Sequence, residues 1–155
     1  MLKSTKVENI LKTKEGQDAI IAIEEILFPI YDASPEKLSD EERNFILIEE
    51  LEQQVNSGGF NFFFSYSYGS FAHETLYSLE QIGSIKFKQI LENAMGVFNN
   101  STVPQNEEER FEVIEENEEE FDEVWDLLDD EFYQYEEDIH TLLVTYVKEN
   151  IQQFR

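Results

Sequence analysis

Residues 121–133 read FDEVWDLLDDEFY, and this stretch decides the fold class. Its apolar side chains recur every three or four residues: Phe121, Val124, Trp125, Leu128 and Phe132. That spacing places them on one face of an α-helix, while most of the residues between them are acidic. A solvated acidic tail has no such apolar stripe. The stretch therefore predicts a helix that buries one face and exposes carboxylates on the other.

Helical spacing also extends toward the N-terminus. Apolar residues recur at intervals of three and four over residues 16–32, as a buried helix face requires. Ser39 and Glu42 have the spacing of a capping box, which predicts the start of a second long helix. That helix is predicted to end at residues 56–59, where Asn-Ser-Gly-Gly supplies glycines that terminate helices.

The remaining segments complete an all-α prediction. The aromatic residues of segment 60–71 are interpreted as core or dimer interface, and Ser70 is predicted to cap a helix that ends at Ile82. Ser84 is predicted to cap a helix that ends at Phe98, with Ile85 available for burial, and residues 99–106 form a loop. A last helix starts near residue 137. We therefore predict an all-α, multi-helix bundle of six to eight helices that forms a single domain over residues 1–155.

The charge of the chain restricts its partners. The 155 residues contain 35 Asp and Glu against 11 Lys and Arg, for a formal net charge of −24. Between Glu107 and Asp138 there are 18 acidic residues and one basic residue, Arg110, so this acidic segment carries −17. Nucleic acids and anionic membranes attract proteins through Lys and Arg, so direct binding to either is excluded. The expected macromolecular partner is a basic protein.

Other sequence features predict a soluble cytoplasmic protein. The chain has no cysteine, no apolar run near the ~20 residues of a membrane span, and no secretory signal pattern at its N-terminus.

The acidic segment predicts a partner-binding surface. Carboxylates three and four residues apart repel one another, and the repulsion in this segment sums to about 2 to 4 kcal/mol. One continuous helix over its 32 residues would span about 48 Å and carry one carboxylate per ~2.7 Å, against one phosphate per ~1.7 Å of duplex DNA. The predicted phosphate-mimicking residues are Glu115, Glu116, Glu119, Asp122, Glu123, Asp126 and Asp130. Solubility or a halophilic cytoplasm would also favour such acidity.

Three stretches carry a resemblance to a known family. They are NSGGFNFFF at residues 56–64, YGSFAHETL at residues 68–76 and the opening stretch at residues 121–133. Over roughly residues 40–150 the chain resembles the bacterial DNA-mimic-protein family. The resemblance implies an all-helical fold. It also implies an acidic protein, dimeric in one characterised kind of member, that occupies the DNA-binding surface of a transcription regulator.

The motif residues themselves are predicted to be structural. Glycines end a helix and the aromatic residues fill the core, while the downstream Asp and Tyr hold the final helices. The predicted structural motif comprises Asn56, Gly58, Gly59, Phe60, Phe63, Phe64, Asp129, Phe132 and Tyr133.

No catalytic, metal or cofactor pattern was found in the sequence. Glu137 and His140 have the spacing of a di-iron ligand pair, but a second such pair is missing. Phosphate-binding glycine loops and nucleophile elbows are also absent. The prediction is a non-catalytic interaction protein that engages a DNA-binding protein. Two alternatives stay open: an immunity or antitoxin-like protein that neutralises a basic nuclease, and an enzyme that uses a carboxylate pair.

Overall fold

The computed structural model describes residues 5–155, which form eight α-helices and, within that range, no β-strand. The helices are α1 (Lys6–Thr13), α2 (Gly16–Ala33), α3 (Asp40–Ser65), α4 (Ala72–Gln81), α5 (Lys86–Met95), α6 (Glu107–Glu116), α7 (Glu118–Tyr133) and α8 (Ile139–Glu149). Short 3-10 turns occupy Pro35–Lys37, Ser67–Phe71, Asn99–Ser101 and Ile151–Gln153. The predicted all-α class is confirmed.

Contacts between Cα atoms group the chain into two compact units. The terminal unit contains the described residues up to 46 together with residues 138–155, and the central unit contains residues 47–137. Helix α3 contributes its first turns to the terminal unit and its remainder to the central unit. That residues 1–155 form a single domain stays a prediction.

The terminal unit is built around α2 and α8, which pack against each other. Their buried residues include Ile23 and Leu27 on α2 and Val147 on α8. The predicted capping box at the start of α3 is confirmed, because Ser39 Oγ accepts the Glu42 N–H at 3.0 Å and Glu42 Oε1 accepts the Ser39 N–H at 2.9 Å. This exchange satisfies two N–H groups that the first turn of a helix leaves without partners.

The central unit has an aromatic core. Helix α5 packs on α7, and Trp125 of α7 stacks on Phe64 with ring centroids 5.1 Å apart. The Trp125 indole N–H donates to the carbonyl of Ala94 at 3.0 Å, so the ring is buried with its one polar group satisfied. The predicted apolar stripe of α7 is buried except at Val124, which is 38 % exposed.

Two serines predicted as helix caps have other roles. The Ser70 hydroxyl donates to the Gln105 carbonyl at 2.7 Å, and α4 begins at Ala72. The Ser84 hydroxyl donates to a Glu137 carboxylate oxygen at 2.6 Å. The prediction that Ile85 is buried is wrong, because its side chain is 79 % exposed. For both serines the local spacing predicts a helix cap, but the hydroxyl instead donates a hydrogen bond to a residue distant in the sequence.

Candidate protein-binding surface

The acidic segment folds as two helices rather than one. Asn117 separates α6 from α7 with φ −126° and ψ 23°, and its side-chain amide donates to the Val113 carbonyl at 2.8 Å. The segment therefore does not extend as one 48 Å helix, and the 16 residues of α7 span about 24 Å. Pairs that cross Asn117, such as Glu115 and Glu119, do not have the helical i, i+4 spacing.

Helix α7 nevertheless keeps the predicted charge density. It contains nine Asp and Glu residues, or one per about 2.7 Å of helix axis. Three of them, Glu118 to Glu120, lie in the first turn, where the helix dipole favours negative charge. Asp130 lies near the C-terminus, where the dipole disfavours it. The helix dipole therefore favours the carboxylates of the first turn of α7 and disfavours Asp130.

The seven predicted partner-binding carboxylates lie on both acidic helices. Glu115 and Glu116 end α6, and the other five are on α7. Six of the seven are exposed, and Asp122 is half-buried, with one carboxylate oxygen accepting the Asn61 amide N–H at 3.0 Å. Within residues 5–155, no ion pair with Lys or Arg involves any of the seven. We call these seven residues the acidic surface.

The cations of the central unit leave the acidic surface unneutralised. Residues 47–137 contain 23 acidic and three basic residues, a net charge of −20. Lys86 pairs with Glu131 at 3.4 Å and with Glu136 at 3.3 Å. Lys88 contacts two other glutamates on α4 and α5 at 3.7 and 3.8 Å. None of these four glutamates belongs to the acidic surface.

The third cation, Arg110, points into the core. Its side chain is fully buried, and its guanidinium donates to carbonyl oxygens of Phe64, Tyr66, Pro104 and Gln105 and to the Ser70 hydroxyl. Desolvation lowers the pKa of Arg110, and nearby Glu107 opposes that shift. This role was not predicted from the sequence. The available signal was that Arg110 is the single basic residue among the 18 acidic residues of the segment.

The Gly-Gly motif produces a break inside α3. Gly59 has φ +75° and ψ −174°, so the helix is interrupted there and resumes at Phe60. Asp129 of α7 accepts the Phe60 N–H at 2.8 Å, which caps the resumed helix. The Tyr133 hydroxyl donates to the Val55 carbonyl at 2.8 Å on the other side of the break. The two motif halves, 69 residues apart at Phe60 and Asp129, are therefore in direct contact.

Other motif residues extend this contact. Asn56 donates from its side-chain amide to the Tyr135 hydroxyl at 2.8 Å, and burial raises the pKa of Tyr135 to about 12. The aromatic motif residues Phe60, Phe63, Phe64 and Phe132 are buried in the core of the central unit. Burial also raises the pKa of Asp129 from 3.8 to about 6, with the Phe60 N–H opposing the shift and the neighbouring aspartates adding to it.

The part of the chain that contains this motif and both acidic helices matches a known family. A family model described as DMP19-like protein matches residues 36–150, which is 115 of the 155 residues. The chain belongs to the DMP19-like family, the family of DNA mimic protein 19. The resemblance predicted from the sequence over residues 40–150 is confirmed. Neither a comparison with curated proteins nor one with solved structures returned a match.

The DMP19-like region also contains a cleft that sequence reasoning missed. Its volume is about 670 Å³, and its lining comes from α4, α5, α7 and the segment after α5. The apolar part of the lining includes Leu76, Met95, Val97 and Val124, and the carboxylates are Glu92 and Glu120. These residues are distributed over 49 positions of sequence, so no local pattern brings them together.

The carboxyl group with the raised pKa does not belong to this cleft. Asp129 lies against Gly59 and caps the resumed part of α3, whereas Glu120 and Glu92 line the cleft. Residues 5–155 of this DMP19-like chain also hold no group of three or more His, Asp or Glu side chains arranged to bind a metal ion. None of the helices in that range has both the length and the apolar character needed to cross a membrane.

Proposed function

We propose that this protein is a non-catalytic DNA mimic that occupies the basic surface of a DNA-binding protein with the acidic surface of α6 and α7. One observation carries the proposal. Six of the seven carboxylates of the acidic surface are exposed, and none of the seven lies in an ion pair within the described residues. Membership of the DMP19-like family supports the same partner class.

The energetic argument is one of displaced counterions. Duplex DNA carries one phosphate per ~1.7 Å of axis and binds proteins chiefly by releasing its counterions to Lys and Arg. Helix α7 carries one carboxylate per ~2.7 Å and lacks internal cations that would neutralise it. A basic groove that docks on this surface gains Coulomb attraction and also relieves the repulsion within α7.

The non-catalytic part of the proposal follows from the role of the perturbed carboxyl group. A general acid or base needs a raised pKa and access to a substrate. Asp129 has the raised pKa, but its carboxylate accepts the Phe60 N–H and lies against Gly59. Burial explains the raised pKa of Asp129, and the hydrogen bond from the Phe60 N–H opposes that shift. That the protein forms a homodimer stays a prediction.

The experiment is a pull-down from the cell extract of the source organism at low salt. The bait is the wild-type protein or a surface variant with Glu119→Gln, Glu123→Gln, Asp126→Asn and Asp130→Asn. We expect the wild type to recover a DNA-binding protein, added duplex DNA to compete for it, and the surface variant to recover much less. The affinity of the purified partner should also fall steeply as salt rises.

A control variant removes the same charge elsewhere. It carries Asp18→Asn, Glu25→Gln, Asp32→Asn and Glu36→Gln, which are exposed positions in and after α2. We expect it to behave as the wild type. Recovery that duplex DNA leaves unchanged, or equal losses in the two variants, would contradict mimicry by the acidic surface. Specific recovery of one nuclease that the protein inhibits would instead support the immunity-protein alternative.

A further inference from the structure

The cleft between α4, α5 and α7 has a chemical character of its own. Leu76, Val97 and Val124 supply the apolar part of its lining, and its carboxylates come from two different helices. Glu120 is exposed and, among the described residues, lies in no ion pair. Glu92 shares Lys88 with Glu80 at distances of 3.8 and 3.7 Å, the long end of the ion-pair range. Apolar lining beside carboxylates that are only partly neutralised suits a ligand that has an alkyl stem and a cationic head.

The histidine in the cleft is bound to the backbone. His73 Nε2 accepts the Val103 N–H at 3.1 Å. The lining of the cleft contains the two carboxylates Glu92 and Glu120 and no Lys or Arg.

The cleft borders the acidic surface. Successive residues of an α-helix are 100° apart, so Glu120 lies about 60° around α7 from Glu123 of the acidic surface. Val124 lies one turn beyond Glu120 on the same side of the helix and also lines the cleft. A basic protein surface that docks on Glu123 thus meets the cleft at its edge.

We infer that this cleft receives an arginine or lysine side chain of the protein partner, which anchors the docked complex beside the acidic surface. The identity of the partner rests on the proposed function, but the chemistry of the cleft does not. The alkyl stem lies on Leu76, Val97 and Val124, and the cationic head pairs with Glu120 and, in part, with Glu92. A DNA duplex has no alkyl stem with a cationic head that could enter the cleft. The cleft therefore favours a protein over DNA as its partner, by shape as well as by charge.

The test uses N-acetyl-arginine amide as the probe. A single arginine is too small to contact the whole acidic surface at once, so its binding does not depend on the net charge of that surface. Amide chemical shifts of the full-length protein are followed by NMR during titration. We expect saturable shifts at Gly96 and Val97, which line the cleft, and weaker binding of guanidinium chloride, which lacks the stem. Shifts spread evenly over the acidic helices would overturn the inference.

Matched variants separate the cleft from general electrostatics. Glu120→Gln should weaken probe binding by about three- to fivefold, as loss of one partly exposed ion pair does, while Glu118→Gln on the same helical turn should leave it unchanged. Val124→Ser should weaken binding by a similar factor, and Leu127→Ser should not. Leu127 is the more exposed of the two at 69 %, so a larger effect at Leu127 would contradict the assignment.

A spermidine titration distinguishes the other source of the same chemistry. In one outcome, spermidine saturates the cleft at a much lower concentration than N-acetyl-arginine amide does, with the same dependence on Glu120. That result would assign the cleft to a free polyamine and overturn the inference that it receives a protein side chain.

The proposed function and the inference about the cleft are tested by different variants. Loss of partner recovery in the four-carboxylate variant tests the acidic surface, whereas the response of the probe to Glu120→Gln tests the cleft.

Discussion

Replacing Gly59 by alanine tests the contact that joins the two halves of the family motif. Gly59 has φ +75° and ψ −174°, a region that residues with a side chain rarely adopt and that costs them about 1 to 3 kcal/mol. A Cβ at this position would lie 2.2 Å from Asp129 Oδ2, far inside van der Waals contact. The carboxylate would have to move and would lose its hydrogen bond from the Phe60 N–H, which costs about 1.5 to 3 kcal/mol more.

The expected loss of unfolding free energy is therefore about 2.5 to 6 kcal/mol, a large share of a typical 5 to 15 kcal/mol. The assay is urea denaturation followed by far-UV circular dichroism. Gly83→Ala is the control, because Gly83 has φ +80° but no atom within 4 Å of its added Cβ, so it should cost only about 1 kcal/mol.

A double-mutant cycle isolates the steric part. In an Asp129→Ala background the added Cβ meets no carboxylate, so Gly59→Ala should cost about 1.5 to 3 kcal/mol less than in the wild type. Additive effects of the two substitutions, or a loss below about 1 kcal/mol for Gly59→Ala alone, would refute the account of the motif.

Three further substitutions test other parts of the structure. Asp129 has a folded pKa of about 6, above its ordinary 3.8, so the folded state binds its proton more tightly and becomes more stable as pH falls from above 6 to below 3.8. Asp129→Asn should therefore be most stabilising relative to wild type near neutral pH and lose that advantage in acid; a pH-independent difference in urea midpoints would contradict this. Arg110→Met leaves several buried carbonyls without donors and should cost about 3 to 5 kcal/mol in urea denaturation, against at most about 1 for Lys88→Met, whose ion pairs are exposed. Ser39→Ala should cost about 1 kcal/mol by removing the capping-box acceptor, and no loss of thermal stability would contradict that role.

Local sequence patterns were sufficient for the all-α class, for the buried face of α7 and for the location of the charge. The spacing of Phe121, Trp125, Leu128 and Phe132 predicts both the helix and its buried face, because a period of 3.6 residues is a property of the backbone alone. The exposure of the acidic surface follows from the same periodicity. The pair Ser39 and Glu42 predicts its own hydrogen bonds, since a capping box needs no partner from elsewhere in the chain.

Local patterns failed where a distant partner competed. Ser70 and Ser84 have the spacing of caps, but their hydroxyls bond to Gln105 and Glu137. The continuity of the acidic segment could not be read from its charge, because a single residue, Asn117, interrupts the helix through its own backbone angles.

The sequence alone determined that this protein is helical, strongly acidic and most densely charged over residues 107–138, because each of these properties is local or additive. Only the tertiary structure decided that Asp129 caps the break at Gly59, that Arg110 turns into the core, and that a cleft opens beside Glu120. Each of these features depends on groups 40 or more residues apart, which meet only when the core is packed. Packing depends on the shapes of the side chains as much as on the pattern of apolar residues along the sequence.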